Sequence, residues 1–120
     1  MTGATETLLL RNLEEVFGEP DAPRRRAAIA DLWTADAVFI DPGGRHVGPA
    51  EIDAAVAGLH ALFPGFVFTA IGSPQAFHGI GRLAWAHGPA GGPPQLTGQD
   101  VVAVRDDRIA SLFTFLDVPE

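Results

Sequence analysis

Apolar side chains recur at helical spacing in the first part of the chain. Leu9, Leu10, Leu13, Val16 and Phe17 share one face, while Glu6, Glu14 and Glu15 fall elsewhere. The spacing predicts a helix over 5–17, stopped by Gly18 and Pro20. A second helix is expected from Asp21 or Ala22, with Pro23 at an early helical position and Ala28, Ile29, Leu32 and Trp33 turned inward. Arg24, Arg25 and Arg26 fan around that helix and read as its solvated shoulder rather than an anion site. At Ala37 the period changes. Ala37-Val38-Phe39-Ile40-Asp41 is short, apolar and partly β-branched, and Pro42-Gly43-Gly44 turns it back into Arg45-His46-Val47, a small hairpin. A third helix opens at Gly48-Pro49-Ala50-Glu51, sets Ile52, Val56, Leu59 and Phe63 on one stripe, and ends at Pro64.

The remainder reads as strands over Phe66–Ile71, Phe77–His87, Gln95–Arg105 and Ile109–Asp117. Turn chemistry separates them at Gly72-Ser73-Pro74, across Gly88 to Pro94, and at Asp106-Asp107. The fold class is α+β, with about three helices from the N-terminal half gathered on one face of a mostly antiparallel sheet. A length of 120 residues fits one domain, 1–120, with a core over about 5–117.

Composition narrows the chemistry. Cysteine and tyrosine are absent, and all 8 basic residues are arginines. Thiolate, phenol and lysine chemistry are therefore excluded. The two serines, Ser73 and Ser111, lie outside any G-x-S-x-G elbow. Four scattered histidines without cysteine give no metal-binding spacing. A net charge of -7 argues against a nucleic-acid partner. The Leu8-Leu9-Leu10 run is broken by Arg11 and Asn12, too short and polar for a membrane span or signal peptide, so a cytoplasmic location is expected. What remains is carboxylates, histidine, arginine and two tryptophans.

The order of elements carries Leu32-Trp33-x-x-Asp36-x-x-Phe39-x-Asp41-Pro42-x-Gly44 and then Gly48-Pro49-x-x-Ile52. Further on come Thr97-Gly98-Gln99-Asp100-Val101-Val102, Asp107-Arg108-Ile109 and Phe113-Thr114-Phe115-Leu116-Asp117. Over nearly its whole length the chain resembles the superfamily of nuclear transport factor two, ketosteroid isomerase and the SnoaL-like polyketide cyclases. The resemblance implies a cone-shaped domain whose curved sheet encloses an apolar pocket, and a homodimer through the outer sheet face. It also implies a cofactor-independent isomerase or cyclase acting on a small apolar carbonyl compound. Asp41 matches the isomerase's general base, and Asp100 its protonated oxyanion donor. One carboxylate would stay ionised in a polar mouth, while the other stays neutral in an apolar site. The isomerase's tyrosine has no counterpart, since Asn12 or Leu13 stands there; the SnoaL-like cyclases rely on a single strand aspartate, which Asp100 matches.

Other readings of the same residues stay open. Asp41 before Pro42 can serve the turn alone, and Asp100 can be a structural partner of Arg82. Arg82 and Trp85 lie on opposite faces of a regular strand. If paired positions sum to 182, Arg82 and His78 share the face of Asp100; if they sum to 181, Trp85 does. A charged pair would explain an arginine in an apolar strand, which favours Arg82. His46 lies across the hairpin from Asp41 and could tune it. His78 would line the pocket mouth, with Leu59, Phe63, Leu112 and Leu116 as apolar walls. His60 and His87 read as structural or exposed. The competing class is a non-catalytic binding domain of the same fold. An epoxide hydrolase would need an R-x-D strand, but Leu83 and Ala84 follow Arg82.

Overall fold

The computed structural model describes residues 3–117. Helix α1 (Ala4–Arg11) runs directly into a π-helical segment over Asn12–Phe17, closed by the Gly18 amide donating to the Leu13 carbonyl at 2.8 Å. Where the sequence predicts one regular helix, two geometries follow each other. The wider turn buries Asn12, Leu13, Val16 and Phe17 together, and the Trp33 indole donates to Asn12 Oδ1 at 2.8 Å. Such segments are frequent at functional sites.

Helix α2 (Ala22–Leu32) is capped by Asp21, whose carboxylate accepts from the Arg24 amide at 3.0 Å. Trp33 is not its last turn: with φ -114 and ψ 151 it is extended and opens β1 (Trp33–Asp41). The chain continues through β2 (Gly44–Val47), α3 (Gly48–Leu62), β3 (Phe66–Phe77), β4 (Ile80–Pro89), β5 (Leu96–Arg105) and β6 (Arg108–Leu116). The sheet runs β2-β1-β6-β5-β4-β3 and is not closed. Only β1 and β6 pair in parallel; the other pairs are antiparallel.

Gly72-Ser73-Pro74 is not a turn. It is an irregularity between Ile71 and Gln75 inside β3, an edge strand that tolerates a proline without an amide to donate. The chain reverses instead at His78-Gly79, with φ of 50° and 74°, the paired positive values of a two-residue hairpin.

The helices cover one sheet face. Leu9, Val16, Ile29, Leu32, Ile52 and Val56 are buried against Leu83, Val102, Ile109 and Leu112. Helix α1 lies so close to β4 that a Cβ at Gly81 would stand 2.9 Å from Leu9 Cδ1. The arginine shoulder of α2 is only partly solvated, because Arg25 is 2% exposed. Its Nε donates to Asp53 Oδ1 of α3 at 2.6 Å and its Nη1 to the Glu19 carbonyl at 2.8 Å, while Arg26 donates to Asp53 Oδ2 at 3.0 Å. Burial works to raise the Asp53 carboxyl, but the two arginines outweigh it and hold it below its ordinary value. Among the described residues no helix is long and apolar enough to cross a membrane.

Candidate active site

A cavity of about 260 Å³ lies between the helices and the sheet face they cover. Leu13 and Phe17 of the π-helical segment, with Leu59 and Phe63 at the end of α3, form its helical wall. Its polar groups follow from strand register. Asp100 pairs with Thr114, whose neighbour Phe113 pairs with Ile40, the residue before Asp41. Asp41, Thr114 and Asp100 thus step across three adjacent strands, and all three line the cavity. At about 4.8 Å per strand, the two aspartate backbones stand about 10 Å apart.

Asp100 is 4% exposed. Its Oδ1 accepts from Trp85 Nε1 at 3.0 Å and from Thr114 Oγ1 at 2.9 Å. Among the described residues Oδ2 takes neither bond and is the oxygen left to meet the cavity. Burial pushes the carboxyl from 3.8 up to about 6, while the Thr114 and Trp85 hydrogen bonds restrain the rise by favouring the anion. Gly98 makes room for this arrangement, since a Cβ there would sit 2.6 Å from Trp85 Cζ2 and 2.5 Å from the Phe115 carbonyl. Trp85→Phe removes one anion-favouring donor and keeps a ring in place. Its expected effect is an Asp100 titration midpoint above about 6, read by carboxyl NMR; an unmoved midpoint would show the bond has no electrostatic weight.

The β4–β5 register sums to 183, with Leu83 opposite Asp100 and Trp85 opposite Gly98. Trp85 therefore faces the cavity, and the favoured pairing of Arg82 with Asp100 does not form. Arg82 stands exposed on the outer face, its guanidinium donating twice to Gln75 Oε1 at 2.9 and 2.7 Å. The polar partner of this arginine lies on the outer face, not inside. His78 is likewise off the cavity, exposed in the β3–β4 turn. Leu112 is wholly buried in the core instead of lining the cavity, whereas Leu59, Phe63 and Leu116 do line it. His46 is not among the cavity's lining residues; it pairs with Phe39 across the hairpin, stacks on it at 5.2 Å, and holds Nε2 3.8 Å from Asp41 Oδ1.

Asp41 lines the cavity while serving its turn. Its Oδ1 accepts from the Gly43 and Gly44 amides, each at 3.0 Å. His60 ties α3 to the π-helical segment, with Nε2 2.7 Å from the Phe17 carbonyl. His87, read from the sequence as structural or exposed, lines the cavity and is 5% exposed. It stacks on Phe68 at 4.3 Å, with Phe66 and Phe63 rings at 5.0 and 5.5 Å. Burial, then the nearby His60, pushes its imidazole below the ordinary histidine value and keeps it neutral. The available signal was parity: whatever turns Trp85 inward turns His87 inward too. Among the described residues no three potential metal ligands come together.

The model of the SnoaL-like domain family matches residues 11–112. A solved structure from Agrobacterium tumefaciens, described as a candidate isomerase of the SnoaL-like family, is 27% identical, with 96% of this chain and 98% of that chain covered and a TM-score of 0.89. A candidate ketosteroid isomerase from Kribbella flavida is 17% identical over 98% of this chain and 80% of its own, with a TM-score of 0.75. A candidate SnoaL-like polyketide cyclase from Jannaschia is 14% identical over 95% and 85%, with a TM-score of 0.77. The last two likenesses are of fold. No curated protein matches the chain significantly.

Proposed function

The chain belongs to the SnoaL-like domain family, and from that premise we propose that it is a cofactor-independent enzyme of isomerase or cyclase type, moving a proton on a small apolar carbonyl compound. The observation that carries the reading is Asp100: buried, held by two donors on one oxygen, with the other oxygen left for a ligand in an aromatic cavity. A carboxyl titrating near 6 is poised for both directions of transfer around neutral pH. As an anion it takes a proton from carbon α to the carbonyl, and as an acid it returns one to another atom of the same ligand. Thr114 and Trp85 stabilise the Asp100 anion before the first transfer and after the second. This arrangement supports a single acid/base aspartate better than a pair, because Asp41 already spends Oδ1 on its own turn.

That engagement of Asp41 is also the support for the second reading, a non-catalytic small-molecule-binding domain. Simple cyclic ketones separate the two. Ligands that raise the melting temperature are incubated with the protein in heavy water, and α-hydrogen exchange is followed by NMR. The enzyme reading expects accelerated exchange; ketones that bind without exchanging faster would favour the binder.

A homodimer and a cytoplasmic setting accompany the proposal. The outer sheet face exposes Phe113, Phe115, Phe77, Ile80, Ile71 and Val67, an apolar surface that a second copy would cover. Phe115, 62% exposed, is its prominent aromatic group on β6. Phe115→Asp is expected to convert a dimer to a monomer in sedimentation equilibrium. A wild-type chain that sediments as a monomer contradicts the dimer.

A further inference from the structure

We propose that His87 is a second ligand-binding residue, anchoring the end of the substrate remote from the reacting carbonyl. Together with Asp100 it would select planar, bicyclic-sized compounds with polar atoms at both ends; this rests on the acid/base reading of Asp100. His87 is a polar side chain in an apolar setting, stacked on Phe68 and edged by Phe63. Among the described residues neither ring nitrogen has a hydrogen-bond partner, and neither is sealed from the cavity that the ring lines. A polar ligand group in this cavity would meet hydrogen-bonding capacity that the protein itself leaves unused. Being neutral, the imidazole offers one donor and one acceptor nitrogen.

Strand register sets the span. Leu83 lies opposite Asp100, and His87 is four residues further along β4 on the same face. At about 3.3 Å per residue the two backbones stand about 13 Å apart along the strand direction, and both side chains rise from the same face. Two hydrogen bonds of about 2.8 Å leave about 7 Å between ligand polar atoms, the reach of two fused six-membered rings. The Trp85 indole lies between the two ends and gives such rings a flat surface. The cavity, about 260 Å³, falls below the roughly 300–1,000 Å³ typical of drug-sized sites, which suits two rings rather than four.

The probes are 1-tetralone and 6-hydroxy-1-tetralone, with dissociation constants read by calorimetry. Wild type is expected to bind the hydroxylated ketone about 5-fold more tightly, the worth of one added neutral hydrogen bond. His87→Phe, which keeps the aromatic packing, should bring that ratio to about one, while His87→Gln retains part of it and controls for a folding defect. Asp100→Asn should leave the ratio intact. A preference unchanged in His87→Phe, a wild-type ratio of one, or failure of both ketones to bind would overturn the proposal. Failure of the ratio alone leaves the acid/base reading standing; loss of catalysed α-exchange with the ratio preserved removes only that reading.

Discussion

Asp100→Asn is expected to make the protein more stable above pH 6 while cutting the proposed turnover by orders of magnitude. The amide carbonyl can go on accepting from Trp85 and Thr114, so the hydrogen-bond frame of the site survives. What disappears is the buried charge. Between 3.8 and about 6 the folded chain holds a proton at Asp100 that the unfolded chain has released. Stability therefore falls as pH rises through that window and stays lower above it. A shift of this size corresponds to about 3 kcal/mol, an order-of-magnitude figure for a group this deeply buried. Thermal melts of both proteins from pH 3.5 to 8 should coincide at the acid end and diverge upward, the variant melting higher. Turnover should fall by about 10²–10⁴, the usual contribution of a positioned acid/base. Gaining stability on losing a functional group is what a buried, desolvated carboxylate predicts; equal melting across the range would mean that Asp100 is better solvated than its surroundings imply.

Asp53→Asn should do the reverse, costing about 3–5 kcal/mol at neutral pH by leaving Arg25 as a buried charge without its counterion. The variant's amide can still accept one hydrogen bond, but Arg25 is 2% exposed and water cannot take over the charge. Because Asp53 is held below its ordinary value, its stabilisation is present above about pH 4 and is lost as pH falls further. The acid limb of the melting profile should flatten in the variant. Replacing the pair together, Arg25→Met with Asp53→Leu, should recover most of the loss, since apolar substitutes for a buried ion pair are often neutral or stabilising. A single variant that melts like wild type would show that the pair contributes little.

Much of this fold is legible in the sequence because its periods are clean. The stripe Ile52, Val56, Leu59 gave α3, and Gly48-Pro49 marked its start. Strand parity also carried over: Asp100, Val102 and Leu112 all turn toward the helices. What failed was long-range register. The connection from Gly88 to Pro94 contains too many glycines and prolines to dictate which β4 residue meets Asp100, and only a fixed pairing could separate Arg82 from Trp85. Arg82 needs no carboxylate inside, because Gln75 on the neighbouring edge strand satisfies its guanidinium from outside. His87 was undervalued for a related reason. Its place near a strand end suggested exposure, whereas Phe63 at the end of α3 and Phe68 on β3 close over it. Trp33 moved from helix to strand because tertiary pairing with Ile109 outweighs its local helical spacing.

The pH dependence of α-hydrogen exchange in 6-hydroxy-1-tetralone, measured for wild type and Asp100→Asn at saturating protein, separates an acid/base Asp100 from a merely buried one. Exchange that wild type accelerates with a midpoint near 6, and that the variant does not accelerate although it binds the ketone, is the predicted result. Equal acceleration by both proteins would contradict it.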